Sequence, residues 1–158
     1  MKIVALLGSP RTNGNTATLT KTFNKTAEEL GADVQTFLLN KLDAKGCQAC
    51  DACKTKTDHC VIKDDLTDVL ESVKNADVLV AATPIYFADI SAQFKIFVDR
   101  CYSYLEPFKT MPKASRLEFF LFATRGDLHY RSLDVVDPKT VHLCCTHLEP
   151  RLGQRLSP

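Results

Sequence analysis

KIVALLGSPRTNGNT, residues 2–16, joins two kinds of sequence. Its first half, Lys2–Leu7, is an almost unbroken apolar run of strand length. Runs of this kind suit a strand covered on both faces, whereas a half-exposed strand alternates. Its second half is built of turn formers. After it the apolar residues change period: Leu19, Phe23, Ala27 and Leu30 fall on one helical face, with Asn13 or Asn15 placed to cap the start and Gly31 where a C′ glycine belongs. A buried strand, a polar turn and a helix make the opening of a βαβ unit.

Working outward, the alternation continues. DVQTFLLN (33–40) reads as a second strand. Asp64 and Asp65 open a helix with Leu66, Val69, Leu70 and Val73 on one face. DVLVAAT (77–83) is a third buried strand that Pro84 should stop. Phe94, Phe97, Val98, Cys101 and Leu105 stripe another helix, and EFFLFAT (118–124) is a fourth strand. Strands alternating with helices imply a parallel sheet covered on both faces, and right-handed crossovers make the doubly wound open sheet the simplest topology. Beyond Asp127 the pattern fades. VDPKTVHLCCTHL fits a helix with Pro138 in its first turn or a short strand at 141–145, and a further strand and helix are not written before Pro158. The expectation is an α/β doubly wound parallel sheet, order 2-1-3-4-(5), open to being incomplete at its C-terminal end, in a single domain spanning 1–158.

Composition narrows the function classes. A chain of 158 residues fits one domain. A net charge of +1 with no long basic run gives no electrostatic case for nucleic acid or an anionic membrane surface. The apolar opening is too short for a secretory signal, and no stretch approaches the roughly 18 apolar residues of a spanning helix. The expected location is the cytoplasm. There thiols stay reduced, so the 7 cysteines read as metal or redox chemistry before disulfides.

In open α/β sheets ligands bind beyond the carboxyl ends of the strands, at the switch point. The loops GSPRTNGNT, TPIYF and TRGD would line one crevice there. The first has the composition of a phosphate loop at a helix N-terminus: hydroxyls at Ser9, Thr12 and Thr16, amides at Asn13 and Asn15. It is not a Walker A loop, because the triplet is Gly14-Asn15-Thr16 and the lysine is missing. That favours a monophosphate. Nor is it G-x-G-x-x-G. Tyr86 and Phe87 offer either a wall for a flat ring or packing onto the next helix. Arg125 offers either a charge near an electron-rich ring or a solvated arginine.

GCQACDACKTKTDHC, residues 46–60, holds Cys47, Cys50, Cys53 and Cys60 within a cysteine-rich loop at 46–63. Three thiolates stepping by three residues converge from one loop on a compact cluster, and the fourth closes it. Zinc more often takes two separated C-x2-C pairs. A four-iron cluster, a reduced thiol site, zinc and disulfides all remain open on spacing alone. Six residues, not three, precede the fourth cysteine, and Val61 follows it in place of the ferredoxin proline. Cys101 on its apolar stripe reads as structural. So do Cys144 and Cys145 between His142 and His147, since adjacent residues do not share a helix face. His59 reads as a surface residue.

GSPRTNGNT, GCQACDACKTKTDHCVIKDD and TPIYF together resemble the iron–sulfur flavoprotein family, in the NADPH-dependent FMN reductase branch of the flavodoxin-like superfamily. The resemblance covers roughly residues 1–127. It implies a flavodoxin-like fold and an oxidoreductase that binds FMN and a 4Fe-4S cluster, with NAD(P)H as a candidate donor. By resemblance, Ser9, Arg11, Asn13, Asn15 and Thr16 would take the FMN phosphate. Pro84, Ile85, Tyr86 and Phe87 would meet the isoalloxazine, and Thr124, Arg125 and Gly126 would approach its far side. Cys47, Cys50, Cys53 and Cys60 would hold the cluster. A homodimer or homotetramer and a small-molecule or protein electron donor or acceptor are also implied. The competing expectations are an NAD(P)H-dependent FMN or quinone reductase without a cluster, and a non-enzymatic electron carrier.

Overall fold

The structure is a computed structural model and describes residues 1–105 and 118–125. Its sheet is built from β1 (Lys2–Leu7), β2 (Asp33–Leu38), β3 (Val78–Tyr86), a short β4 (Asp89–Ile90) and β5 (Glu118–Arg125). β1 pairs parallel with β2 and β3, and β3 pairs parallel with β5. The long strands thus run β2-β1-β3-β5, the expected order with the fourth predicted strand as β5. β4 is the return arm of a hairpin at the end of β3. The helices are α1 (Asn15–Glu29), α2 (Ala52–Thr55), α3 (Leu66–Lys74) and α4 (Ala92–Arg100). The part of the chain where a fifth parallel strand was expected, and the 141–145 stub, lie outside the described residues.

Strand alternation divides the core between two faces. Ile3, Ala5, Val78 and Val80 pack with Phe23 and Ala27 of α1. Val4, Leu6, Leu79 and Ala81 pack with Leu66, Val69, Leu70 and Val73 of α3 and with Phe94 and Phe97 of α4. Both faces of the central strands are covered, which is why residues 3–7 of β1 and 78–82 of β3 are apolar throughout.

Several elements differ in detail from their sequence expectation. α1 keeps its period but is rotated: Thr16, Ala17, Thr20 and Ala27 are buried, while Leu19 and Leu30 are exposed. Threonine tolerates this because its methyl packs inward while its hydroxyl bonds the preceding turn, Thr20 Oγ1 donating to Thr16 O at 2.9 Å. The N-cap is Gly14, without a side-chain cap bond, in place of Asn13 or Asn15. The C-terminal reading holds. Gly31 at φ +85° donates to Glu28 O at 2.9 Å and Ala32 to Ala27 O at 2.9 Å, the two bonds of a Schellman motif. β3 does not stop at Pro84 but runs through it to Tyr86. A proline lacks only its donor, and near the end of a strand that loss is tolerated.

Candidate functional site

The carboxyl ends of β1 and β3 are tied together by one buried serine. Ser91 Oγ donates to Gly8 O at 2.8 Å and accepts from Phe94 N at 3.3 Å, capping α4. Its N–H donates to Thr83 Oγ1 at 3.1 Å. Gly8 has to be glycine here: a Cβ would meet Ser91 Oγ at 2.8 Å and Phe94 Cβ at 2.9 Å. The switch point is therefore a set of packed backbones, with the loops projecting from it.

The loop after β1 folds on itself. Ser9 is buried, its Oγ accepts from Arg11 N at 3.1 Å, and the same hydroxyl donates to Arg11 O at 3.2 Å. Thr16 is buried, whereas Arg11, Thr12, Asn13 and Asn15 are exposed around the start of α1. The first N–H groups of a helix have no intrahelical carbonyl to bond, and the dipole there favours an anion. A cation the sequence reading missed joins the loop. Lys21 Nζ donates to Thr12 O at 2.9 Å and to Asn13 Oδ1 at 3.2 Å. The Walker lysine is absent, but a lysine from the second turn of α1 folds back over the loop.

After Pro84 the chain turns sharply. Ile85 pairs with Ile90 and Tyr86 with Asp89, leaving Phe87 and Ala88 as a two-residue hairpin loop. Both have positive φ, +46° and +67°. This is the sign pattern of a type I′ turn, which normally takes Asn and Gly. Left-handed backbone costs a non-glycine residue about 1–2 kcal/mol, and such strain collects at binding sites. The turn presents Phe87 fully to solvent, with Tyr86 about half exposed. Across the sheet, Pro84 registers with Thr124 and Ile85 with Arg125. The ends of β3 and β5 therefore lie side by side, as the single-crevice reading requires. Gly126 lies outside the described residues.

The cysteine loop is held by its flanks. Arg100, the last residue of α4, is 1% exposed. Its Nη1 donates to Lys45 O at 2.9 Å and Asp64 Oδ2 at 2.8 Å, and its Nη2 to Ile62 O at 3.1 Å and Asp64 Oδ1 at 3.3 Å. Asp64 also accepts from Lys45 N at 3.0 Å and from Leu66 N at 3.1 Å. Next to it, Asp65 Oδ2 accepts from Asp43 N at 2.8 Å. Residues before Cys47 and after Cys60 are thus clamped to one guanidinium. Burial alone would raise the Asp64 pKa; the bonds from Arg100, Lys45 and Leu66 outweigh it and hold the carboxyl below its ordinary value.

Between the flanks the loop bends through Ala49 and Asp51, both with positive φ, on either side of Cys50. Cys47, Cys50, Cys53 and Cys60 line one open concavity. Arg100 and Tyr102 line it as well. Lys54, in α2, donates to Tyr102 O at 2.6 Å and to Leu105 O, and sits 4.6 Å from the centre of the Tyr102 ring. Burial pushes the Cys53 thiol up against the pull of Lys54, and charge on Cys60 and Cys50 pushes it further. Crowded thiols resist ionising unless a positive group offsets their charge. None of the five cysteines among the described residues is in a disulfide. Among the same residues no three His, Cys, Asp or Glu side chains converge closely enough to hold a single ion. His59 lies at the surface against Asp58, and Cys101 packs partly against the core.

Sequence reasoning anticipated the four cysteines and the loops but not Ser91, Lys21 or Arg100. A serine just before an apolar helical stripe is a readable cap signal. An arginine on a helix gives no sign of being buried.

The model of the family described as NADPH-dependent FMN reductase matches residues 1–115. An iron–sulfur flavoprotein of Methanocaldococcus jannaschii is 37% identical over 101 residues, 63% of this chain and 51% of that protein. Another, from Methanosarcina thermophila, is 34% identical over 100 residues, 63% of this chain and 52% of that protein. The chain spans about half the length of these relatives. In fold it is similar to an azoreductase from Bacillus anthracis, with a TM-score of 0.68 at 16% identity over 94% of this chain and 82% of that one. It is also similar to an NAD(P)H:quinone oxidoreductase from Methanothermobacter marburgensis, with a TM-score of 0.64 at 18% identity over 99% and 77%. No helix among the described residues is long and apolar enough to cross a membrane.

Proposed function

The chain belongs to the NADPH-dependent FMN reductase family, and from that premise we propose that it is an FMN-binding iron–sulfur flavoprotein, a flavin-dependent oxidoreductase passing electrons between FMN and a 4Fe-4S cluster. The observation that carries this reading is the arrangement of Cys47, Cys50, Cys53 and Cys60 around one concavity clamped at both flanks. The donor set fits a cluster better than zinc. Zinc needs its sulfurs about 2.3 Å from a single point, whereas a cubane meets each thiolate at a separate corner and suits thiols that ring a space. The relatives' names as iron–sulfur flavoproteins agree with the donor set.

For FMN, Ser9, Arg11, Asn13, Asn15 and Thr16, in the loop that leads into α1 and at the start of that helix, would take the phosphate. Pro84, Ile85, Tyr86 and Phe87 would meet the ring, and by resemblance Thr124, Arg125 and Gly126 would approach its far side. Bound flavin takes or gives one or two electrons, and so joins a one-electron cluster to a two-electron donor such as NAD(P)H. The protein's part is to fix both sites: Ser91 and Gly8 hold the two flavin loops in register, and the strained Phe87–Ala88 turn presents the aromatic wall without rearrangement. The protein works in the cytoplasm as a single-domain unit, assembled as a homodimer or homotetramer, with a small-molecule or protein partner as donor or acceptor.

Anaerobic purification with FMN, followed by absorption and iron and acid-labile sulfide assays, tests the reading. Flavin bands with a broad cluster shoulder and about four irons per chain are expected. Flavin without iron would replace it with a cluster-free FMN or quinone reductase, and iron without flavin affinity would refute the crevice.

A further inference from the structure

We infer that Arg100 is a positioning residue for the cluster, whose buried guanidinium donates through Nε–H into the cysteine pocket and favours the cluster's reduced state. The inference rests on the cluster reading above and deepens it.

Arg100 is 1% exposed and lines the same concavity as the four cysteines. Both its terminal nitrogens are committed to Lys45, Ile62 and Asp64, which fixes the plane of the fork. Its Nε is buried and has no hydrogen-bond partner among the described residues. A buried N–H left unpaired costs about 1–3 kcal/mol, and native proteins rarely leave one without an acceptor. The concavity it lines carries the four cysteine sulfurs, together with Gln48, Asp51, Tyr102 and Ser103. Cys60 lines that concavity beside Arg100, two residues from Ile62, to whose carbonyl Nη2 donates at 3.1 Å. A cluster carried by four thiolates is anionic and gains a further negative charge on reduction. Hydrogen bonds to its sulfurs and nearby positive charge therefore raise its potential. Asp64 opposes the effect from the far side of the fork, so the two members of the pair act with opposite sign.

The test is a mediated redox titration of the anaerobically prepared full chain, followed by the electron paramagnetic resonance of the reduced cluster, with the FMN midpoints read in the same sample. Arg100→Gln keeps a neutral hydrogen-bonding group of smaller size. It is expected to lower the cluster midpoint by a tenfold change in the one-electron equilibrium or more, 59 mV, while the FMN midpoints hold. Asp64→Asn, which still accepts a bond from Arg100, is expected to raise the cluster midpoint. Opposite shifts at one ion pair are not what loosened packing gives. Full clusters with unchanged midpoints in both variants would overturn the inference and leave the cluster reading intact. Wild-type protein without iron and sulfide would overturn both. Should Arg100→Gln fail to retain iron, Asp64→Asn decides: a rise supports the inference, and an unchanged or lowered midpoint overturns it.

Discussion

Replacing Ser91 by alanine is expected to destabilise the fold by about 2–4 kcal/mol, with an effect concentrated at the crevice. The side chain is fully buried. Its removal deletes the cap on α4, where Oγ accepts from Phe94 N at 3.3 Å, and loss of such a cap costs about 1 kcal/mol. It also strands the Gly8 carbonyl, which accepts from Oγ at 2.8 Å, and an orphaned buried acceptor costs about 1–3 kcal/mol. The backbone bond from Ser91 N to Thr83 Oγ1 survives, and the Thr83 hydroxyl, on losing Ser91 Oγ at 3.3 Å, still donates to Pro84 O at 3.0 Å, so no further group is left unpaired. Against a usual stability of about 5–15 kcal/mol the change is large. Urea unfolding of apoprotein reads it as a lower midpoint at unchanged slope. Thr18→Ala, at an exposed hydroxyl on α1, is the control and should stay within about 0.5 kcal/mol. FMN affinity should fall in parallel, because Gly8 begins the phosphate loop. A loss below about 0.5 kcal/mol for Ser91→Ala, on the scale of ordinary surface changes, would refute the view that this serine joins the two strand ends.

Cys50→Ala should remove most of the iron and sulfide while FMN still binds, and Cys101→Ala should leave iron content unchanged; colorimetric iron and flavin fluorescence titration read both. Ala88→Gly should stabilise the protein by about 1 kcal/mol, since φ +67° suits glycine, with a higher Tm as the readout; a lower Tm would deny the strain. The Asp64 carboxyl is held below its ordinary value, so it stays ionised in the folded chain at pH values where the unfolded chain takes up a proton. Its stabilising contribution is complete above the unfolded value of about 3.9 and is lost as pH falls through the folded one. Asp64→Asn should therefore flatten the acid limb of stability, measured as urea midpoints between about pH 5 and 2.

The strands were legible because a two-sided sheet writes its central strands as unbroken apolar runs, and α3 because all its apolar residues lie at one helical spacing. α1 was legible in period but not in phase. Hydropathy ranks Leu19 and Leu30 above Thr16 and Thr20, yet the face that meets the sheet is the one narrow enough for alanine and threonine. Pro84 read as a stop because its missing N–H argues against a central strand, whereas here it falls close to the strand's end. In the candidate site, cysteine spacing singled out four thiols that line one concavity, and turn composition singled out the loops at the strand ends. What holds them in place stayed hidden. Arg100 and Asp64 are separated by 36 residues and are both ordinary surface types, and only the fold makes them partners. Lys21 was invisible for a related reason: a lysine's reach is set by the helix that carries it.

α4 also has a consequence for length. Its cap, Ser91, is fastened to the ends of β1 and β3 at Gly8 and Thr83, and its last residue, Arg100, to both ends of the cysteine loop. The span between these fastenings is a helix of nine residues, about 13–14 Å at the helical rise. The separation of the two regions is therefore counted in residues of a stiff rod, and insertions in the connecting loops leave it unchanged. A single residue added inside α4 would swing Arg100 by about 100° around the axis and pull it from its clamp.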